Sequence, residues 1–201
     1  MKNVCVYCGS SPGNRPEYKQ IALALAMALH ERGMGLVYGG GSVGLMGAVA
    51  REALRLGCPV EGVITQDLFQ REVAFKSLPN LKVVGSMHER KALMAKLADG
   101  FVALPGGLGT LDEFFEALTW TQLGIHAKPC GLLNICGYYA SLANFLNHAV
   151  TEGFICETGL SALFSDSDPA RLLDAMAAFQ PGQIPDKAKF VLALEHGSSP
   201  N

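Results

Sequence analysis

Two rhythms of apolar residues alternate along this chain. Short runs at residues 4–8, 36–38, 60–64, 81–84, 101–104 and 129–134 are rich in aliphatic and aromatic side chains and bounded by glycine, proline or polar residues. Each predicts a strand buried within a sheet. Between them lie longer stretches in which alanine, leucine and other apolar residues recur three and four positions apart. These predict helices over 18–32, 45–56, 87–98, 110–123, 138–152 and 169–179. Gly33, Gly57 and Gly153 follow three of them and supply the usual C-terminal stop. Residues 66–79, with Arg71, Glu72 and Lys76, keep no clean period and read as a loop or short helix near the strand ends. Strand following helix from end to end predicts an α/β fold: a single Rossmann-like domain over residues 1–179, its parallel sheet flanked by helices on both faces. Residues 180–201 carry Pro181, Pro185 and Pro200 and turn polar, so this tail is expected to be partly disordered.

Composition narrows the partners. The 201 residues are 49% hydrophobic and 17% charged, with a net charge of −2. That balance gives no electrostatic case for nucleic acid or a membrane surface. No apolar run approaches the ~18 residues of a membrane span, and the N-terminal residues lead straight into a strand-like run, so a cytoplasmic location is expected. Six cysteines are present, several within apolar runs, where cysteine acts as a small hydrophobe. Cys5 and Cys8 are spaced as C-x-x-C, but on a strand they point to opposite faces, which argues against a metal or redox pair and for reduced thiols.

The most informative stretch is 99–116, DGFVALPGGLGTLDEFFE. A strand ending at Leu104 runs into Pro105-Gly106-Gly107-Leu108-Gly109, and a helix is expected from Thr110. Glycines in this number free the backbone and admit a ligand close to the main chain. A helix N-terminus beyond such a loop aims unpaired N–H groups at one point, where a phosphate would sit. Two readings of the acidic residue in this helix stay open. Thr110-x-x-Glu113 fits a capping box, in which Glu113 bonds back to the helix start; alternatively the carboxylate serves chemistry. The loop itself is equally open to a purely structural reading.

A second cluster, Gly39-Gly40-Gly41-Ser42-Val43-Gly44, matches G-x-G-x-x-G after a strand. The following strand ends in Val63-Ile64-Thr65-Gln66 without an acidic residue, which speaks against a dinucleotide and for a backbone surface near a mononucleotide. The helix from Met87 opens with His88, Glu89, Arg90 and Lys91. Basic residues there oppose the helix dipole, so either a nearby anion accounts for them or they form a solvated face. His88 reads as a helix-end or core residue rather than a ligand. The loop at Cys8-Gly9-Ser10 and both glycine clusters fall at the carboxyl ends of strands, where open α/β sheets bind ligands.

Taken together, Gly39 through Gly47 (GGGSVGLMG), Met87-His88-Glu89-Arg90-Lys91 and Pro105 through Glu113 (PGGLGTLDE) closely resemble the LOG ("Lonely guy") family of cytokinin riboside 5′-monophosphate phosphoribohydrolases. Cys8-Gly9-Ser10 and the run 119–128 support the likeness, which covers about 4–155. Relatives have often carried the label lysine decarboxylase, but no pyridoxal phosphate site is legible in the sequence. The resemblance implies hydrolysis of the N-glycosidic bond of AMP or an N6-substituted (N6-prenyl) AMP, giving free base and ribose 5-phosphate. It implies Arg90 and Glu113 as the catalytic pair, and Gly106, Gly107, Gly109 and Thr110 as the phosphate site. Glu72, Lys91 and Thr119 match further substrate-contacting positions, Glu72 as a ribose hydroxyl partner. Pro105, Leu108, Leu111, Gly41, Cys8 and Ser10 complete the substrate-binding set. Asp112 departs from the glutamate common in plant members. A homodimer is implied; no metal and no cofactor is.

The residue types suit that chemistry. A carboxylate stabilises an oxocarbenium-like state and orients water, while a fixed guanidinium holds the carboxylate ionised. A gripped phosphate lends binding energy from a distance. The competing reading is a non-catalytic nucleotide or cofactor carrier on the same fold.

Overall fold

The short apolar runs assemble into one all-parallel sheet in the computed structural model, which describes residues 1–71 and 74–180. Its strands are β1 (Asn3–Tyr7), β2 (Gly35–Tyr38), β3 (Val60–Thr65), β4 (Leu81–Val84), β5 (Gly100–Ala103), β6 (Cys130–Leu133) and β7 (Leu163–Asp166), in the order β4-β3-β2-β1-β5-β6-β7. Helices α1 (Pro16–Glu31), α2 (Gly44–Arg55), α3 (Gln66–Gln70), α4 (Met87–Leu97), α5 (Leu108–Gln122), α6 (Ala140–Thr151) and α7 (Pro169–Ala177) connect them.

Residue alternation along each strand builds two cores. Val4 and Val6 of β1 face α1, α2 and α7 together with Leu36, Tyr38, Val102 and Leu104. Cys5 and Tyr7 face the other way, with Val37, Phe101 and Ala103, against Met94 of α4 and Phe114 and Leu118 of α5. Tyr38, Phe101 and Phe114 are fully buried; burying an aromatic or aliphatic side chain of this kind contributes about 1.5–3 kcal/mol. Cys5 and Cys8 lie in these two opposite cores, and all six cysteines are free thiols. No helix of the described residues is long and apolar enough to cross a membrane.

Strand order reverses at β1, which pairs with β2 on one side and β5 on the other. The loops leaving β1 and β5 therefore flank the crevice in which such sheets bind ligands. They are tied together there, the Gly9 N–H donating to the Pro105 carbonyl at 3.1 Å.

Two differences from the sequence reading bear on function. Strand β7 was not expected: it is a four-residue edge strand whose second half is Ser165-Asp166, and it leaves no apolar run to see. Helix α5 starts at Leu108, two residues earlier than expected, because Gly107 is the N-cap and Gly109 lies inside the helix. The tail at 181–201 lies outside the described residues.

Candidate active site

Arg90 is placed by the start of α4. The Ser86 hydroxyl accepts the Glu89 N–H at 3.1 Å, and the Glu89 carboxylate accepts the Gly85 N–H at 2.8 Å. This reciprocal cap fixes where the helix begins. One turn on, Arg90 is 5% exposed as a residue, and its side chain runs beneath the ends of β2 and β3. Its Nε donates to the Val63 carbonyl at 3.0 Å and its Nη2 to the Gly39 carbonyl at 3.4 Å. Its Nη1 donates to Oε1 of Glu113 in a short charge-assisted bond. Gly39 has to be glycine for this route: a Cβ there would overlap Nη2. The glycine cluster at 39–44 thus packs rather than cradles. Gly40 lies against Ile64 and Leu81, and Gly44, at φ +59°, lies against the Ser10 backbone.

Helix α5 supplies the other half. Thr110 is its third residue and Glu113 its sixth, so the capping-box reading does not hold. Instead the Glu113 carboxylate engages Arg90, and its Oε2 takes no bond from the described residues. The first helical bond runs from Leu111 N–H to the Gly107 carbonyl, and the N–H groups of residues 107–110 have no acceptor among the described residues. These donors and the positive helix end are left for an anion. From the N-cap to Glu113 the helix rises about 9 Å, a distance that a pentose 5-phosphate can bridge.

Between the two halves opens a cleft of about 370 Å³ lined by Cys8, Gly9, Ser10, Met46, Met87, Arg90, Gly107, Leu108, Gly109, Thr110 and Glu113. Burial is the largest influence on Glu113 and raises its pKa; the Arg90 guanidinium pulls it back, but the net direction is upward. The arginine alone, which is all the sequence shows, predicts the opposite direction. Burial also pushes the Cys8 thiol far up, so this cysteine walls the cleft as an apolar group.

Of the residues singled out from sequence, Arg90, Glu113, Cys8, Ser10, Gly107, Leu108, Gly109 and Thr110 meet in this cleft. Pro105 and Gly106 line a second pocket of about 310 Å³ behind the loop, with Tyr18 and Tyr138. Leu111 and Thr119 lie in a shallow depression on the outer side of α5 beside Phe115 and Trp120. Lys91 does not line the cleft; its Nζ pairs with Glu116 at 3.1 Å and Asp112 at 3.4 Å. The carboxylates of α5 therefore offset both basic residues at the start of α4, where the sequence suggested an anion or solvent. His88 is exposed. Gly41 makes a backbone bridge to Ala74 rather than lining the cleft, and Glu72 lies outside the described residues. Missed from sequence were Met46 and Met87, apolar cleft walls inside the quoted motifs; nothing in their spacing sets them apart from core residues.

A family model described as "Possible lysine decarboxylase" matches residues 46–176. A cytokinin riboside 5′-monophosphate phosphoribohydrolase of Arabidopsis thaliana is 48% identical over 90% of this chain and 83% of its own length. One from Oryza sativa subsp. japonica is 46% identical over 90% of this chain and 74% of its own. The chain belongs to the LOG family. Among solved structures, a molybdenum cofactor binding protein from Rippkaea orientalis superposes with a TM-score of 0.67 at 21% identity, covering 89% of this chain and 97% of that one. A molybdenum cofactor carrier protein from Chlamydomonas reinhardtii gives 0.65 at 19%, covering 88% and 96%. These two share the fold. The decarboxylase description of the family does not suit the cleft. Pyridoxal phosphate chemistry uses a lysine Schiff base, and none of the described residues lining the cleft is a lysine.

Proposed function

We propose that this LOG-family protein hydrolyses the N-glycosidic bond of AMP or of N6-substituted adenosine 5′-monophosphates, releasing free base and ribose 5-phosphate. The observation that carries this reading is the pairing of buried Arg90 with part-buried Glu113 one and a half turns below a helix start with unused N–H donors. The phosphate binds those donors, and its fixed position sets the anomeric carbon against Glu113. As the bond from C1 to the base nitrogen breaks, its electron pair leaves with the base and positive charge grows on the ribose ring. The carboxylate stabilises that charge and orients the water whose oxygen bonds to C1. One of the water's protons passes to the departing base nitrogen, and the other stays on the oxygen as the new anomeric hydroxyl. All three guanidinium nitrogens of Arg90 are already engaged, which supports a positioning role for the arginine over protonation of the base.

The names of the 45–48% identical relatives support the same substrate class. Purified protein incubated with AMP and with N6-isopentenyl AMP is expected to release base from at least one, measured by chromatography. Binding of both without release would instead favour a carrier.

The outer face of α5 supports a homodimer. Leu108 is 87% exposed beside Leu111, Phe115 and Trp120, and Ile125 beyond the helix end is 64% exposed. A second copy covering this face would also give Leu111 and Thr119, which reach no cleft of their own chain, a surface to meet. Light scattering should return twice the 21.3 kDa chain mass.

A further inference from the structure

The loop from β5 to α5 has each of its carbonyls held by a different donor. Leu104 O accepts the Tyr139 hydroxyl at 2.6 Å, Pro105 O accepts the Gly9 N–H at 3.1 Å, and Gly106 O accepts the Tyr138 hydroxyl at 2.7 Å. The two tyrosines are consecutive and come from the turn after β6. That turn reverses through two left-handed residues, Cys136 at φ +54° and Gly137 at φ +69°, and is closed by the Tyr139 N–H on the Asn134 side-chain oxygen at 2.7 Å. Cys136 is the one non-glycine residue with positive φ among those described. Such a conformation costs free energy and persists where its surroundings fix it. Here the turn delivers two hydroxyls to the back of the glycine loop.

Peptide geometry turns this into a statement about the site. The described residues contain no cis peptide, and in a trans peptide the C=O of one residue and the N–H of the next point in opposite directions. Tyr138 walls the pocket behind the loop, and Gly106 lines that pocket alone, whereas Gly107 borders both that pocket and the cleft. Drawing the Gly106 carbonyl backward therefore aims the Gly107 N–H forward.

We propose that Tyr138 is a positioning residue for anion binding: its hydroxyl locks the Gly106–Gly107 peptide so that the Gly107 N–H faces the phosphate. This rests on the nucleotide reading given above. Without the hydroxyl, two flanking glycines leave that peptide free to rotate, and the donor is no longer preorganised. Tyr139 has a different task. It is 2% exposed and satisfies a buried carbonyl at the strand end, whereas Tyr138 is 42% exposed.

The test is Tyr138→Phe, with ribose 5-phosphate and inorganic phosphate titrated by calorimetry and AMP turnover measured in parallel. Affinity for both anions is expected to fall about tenfold, the size of one weakened charge-assisted hydrogen bond. KM for AMP should rise by a similar factor, with kcat and thermal midpoint nearly unchanged. A role confined to structure would instead lower the midpoint and leave anion affinity alone. Unchanged affinity for both anions overturns the proposal. If the unsubstituted protein binds ribose 5-phosphate yet releases no base from AMP, the hydrolase reading fails while a weakened Tyr138→Phe still supports this one. If it binds neither anion, the phosphate site fails and this inference with it.

Discussion

Replacing Glu113 by glutamine removes one negative charge and changes little else in shape. In the proposed reaction that charge faces the cation growing at the anomeric carbon. At about 4 Å and an effective dielectric constant of about 20, such a pair is worth about 4 kcal/mol, or roughly a thousandfold in rate. kcat/KM for AMP should therefore fall by about three orders of magnitude, while ribose 5-phosphate still binds, because the helix N–H groups are untouched. Stability should move the other way. Burial raises the Glu113 pKa against the pull of Arg90, so the folded state prefers the neutral acid. That preference is fully present below the ordinary glutamate range and is lost as pH rises through the raised value. At neutral pH the ionised carboxylate thus costs stability, which the neutral amide avoids. Glutamine also keeps an oxygen for Nη1, and Arg90 keeps its bonds to Val63 and Gly39. Thermal midpoints at pH 8 and pH 4.5, with rates at each, make the assay. The variant's midpoint should equal or exceed the parent's at pH 8, and the gap should shrink at pH 4.5. Parent kcat/KM should fall with acid at a pH above the ordinary glutamate range. A variant that keeps most of its turnover, or that melts lower at pH 8 than the parent, would refute the reasoning.

Other outcomes follow from single contacts. Gly39→Ala places a methyl group where Arg90 Nη2 lies; the displaced guanidinium should cost activity together with about 1–3 kcal/mol of stability in urea unfolding, the usual cost of overpacking. Tyr139→Phe leaves the buried Leu104 carbonyl without its donor and should lower stability by about 1–3 kcal/mol, with KM for AMP little changed. In the native protein a thiol reagent should reach exposed Cys136 first and partly exposed Cys156 next, with buried Cys5, Cys8, Cys58 and Cys130 reacting only on unfolding. Rapid native labelling of Cys8 would contradict its burial.

The parallel sheet was legible because its central strands are continuous apolar runs and its helices keep a 3.6-residue period; β7 escaped because an edge strand with half its residues polar carries neither signal. The start of α5 escaped for a different reason. Gly106, Gly107 and Gly109 look alike in sequence, and only the backbone shows that Gly107 caps the helix while Gly109 lies within it. That shift of two residues removes the capping box for Glu113 and leaves its carboxylate to Arg90. Arg90 and Glu113 were found by the motifs that contain them, but their burial and the three-way anchoring of the guanidinium depend on β2 and β3, far away in sequence. Lys91 follows Arg90 on the same helix but points about 100° around the axis, and its pairing with Glu116 has no signal in the spacing. Tyr138 had no signal, since a tyrosine in a turn gives no hint of which carbonyl it will meet.

A crystal structure of the Glu113→Gln variant soaked with AMP tests the central claim most directly. The phosphate oxygens should lie about 3 Å from the N–H groups of residues 107–110, with the anomeric carbon facing residue 113 from within the cleft. A phosphate bound elsewhere, or an anomeric carbon turned away from residue 113, would contradict the account.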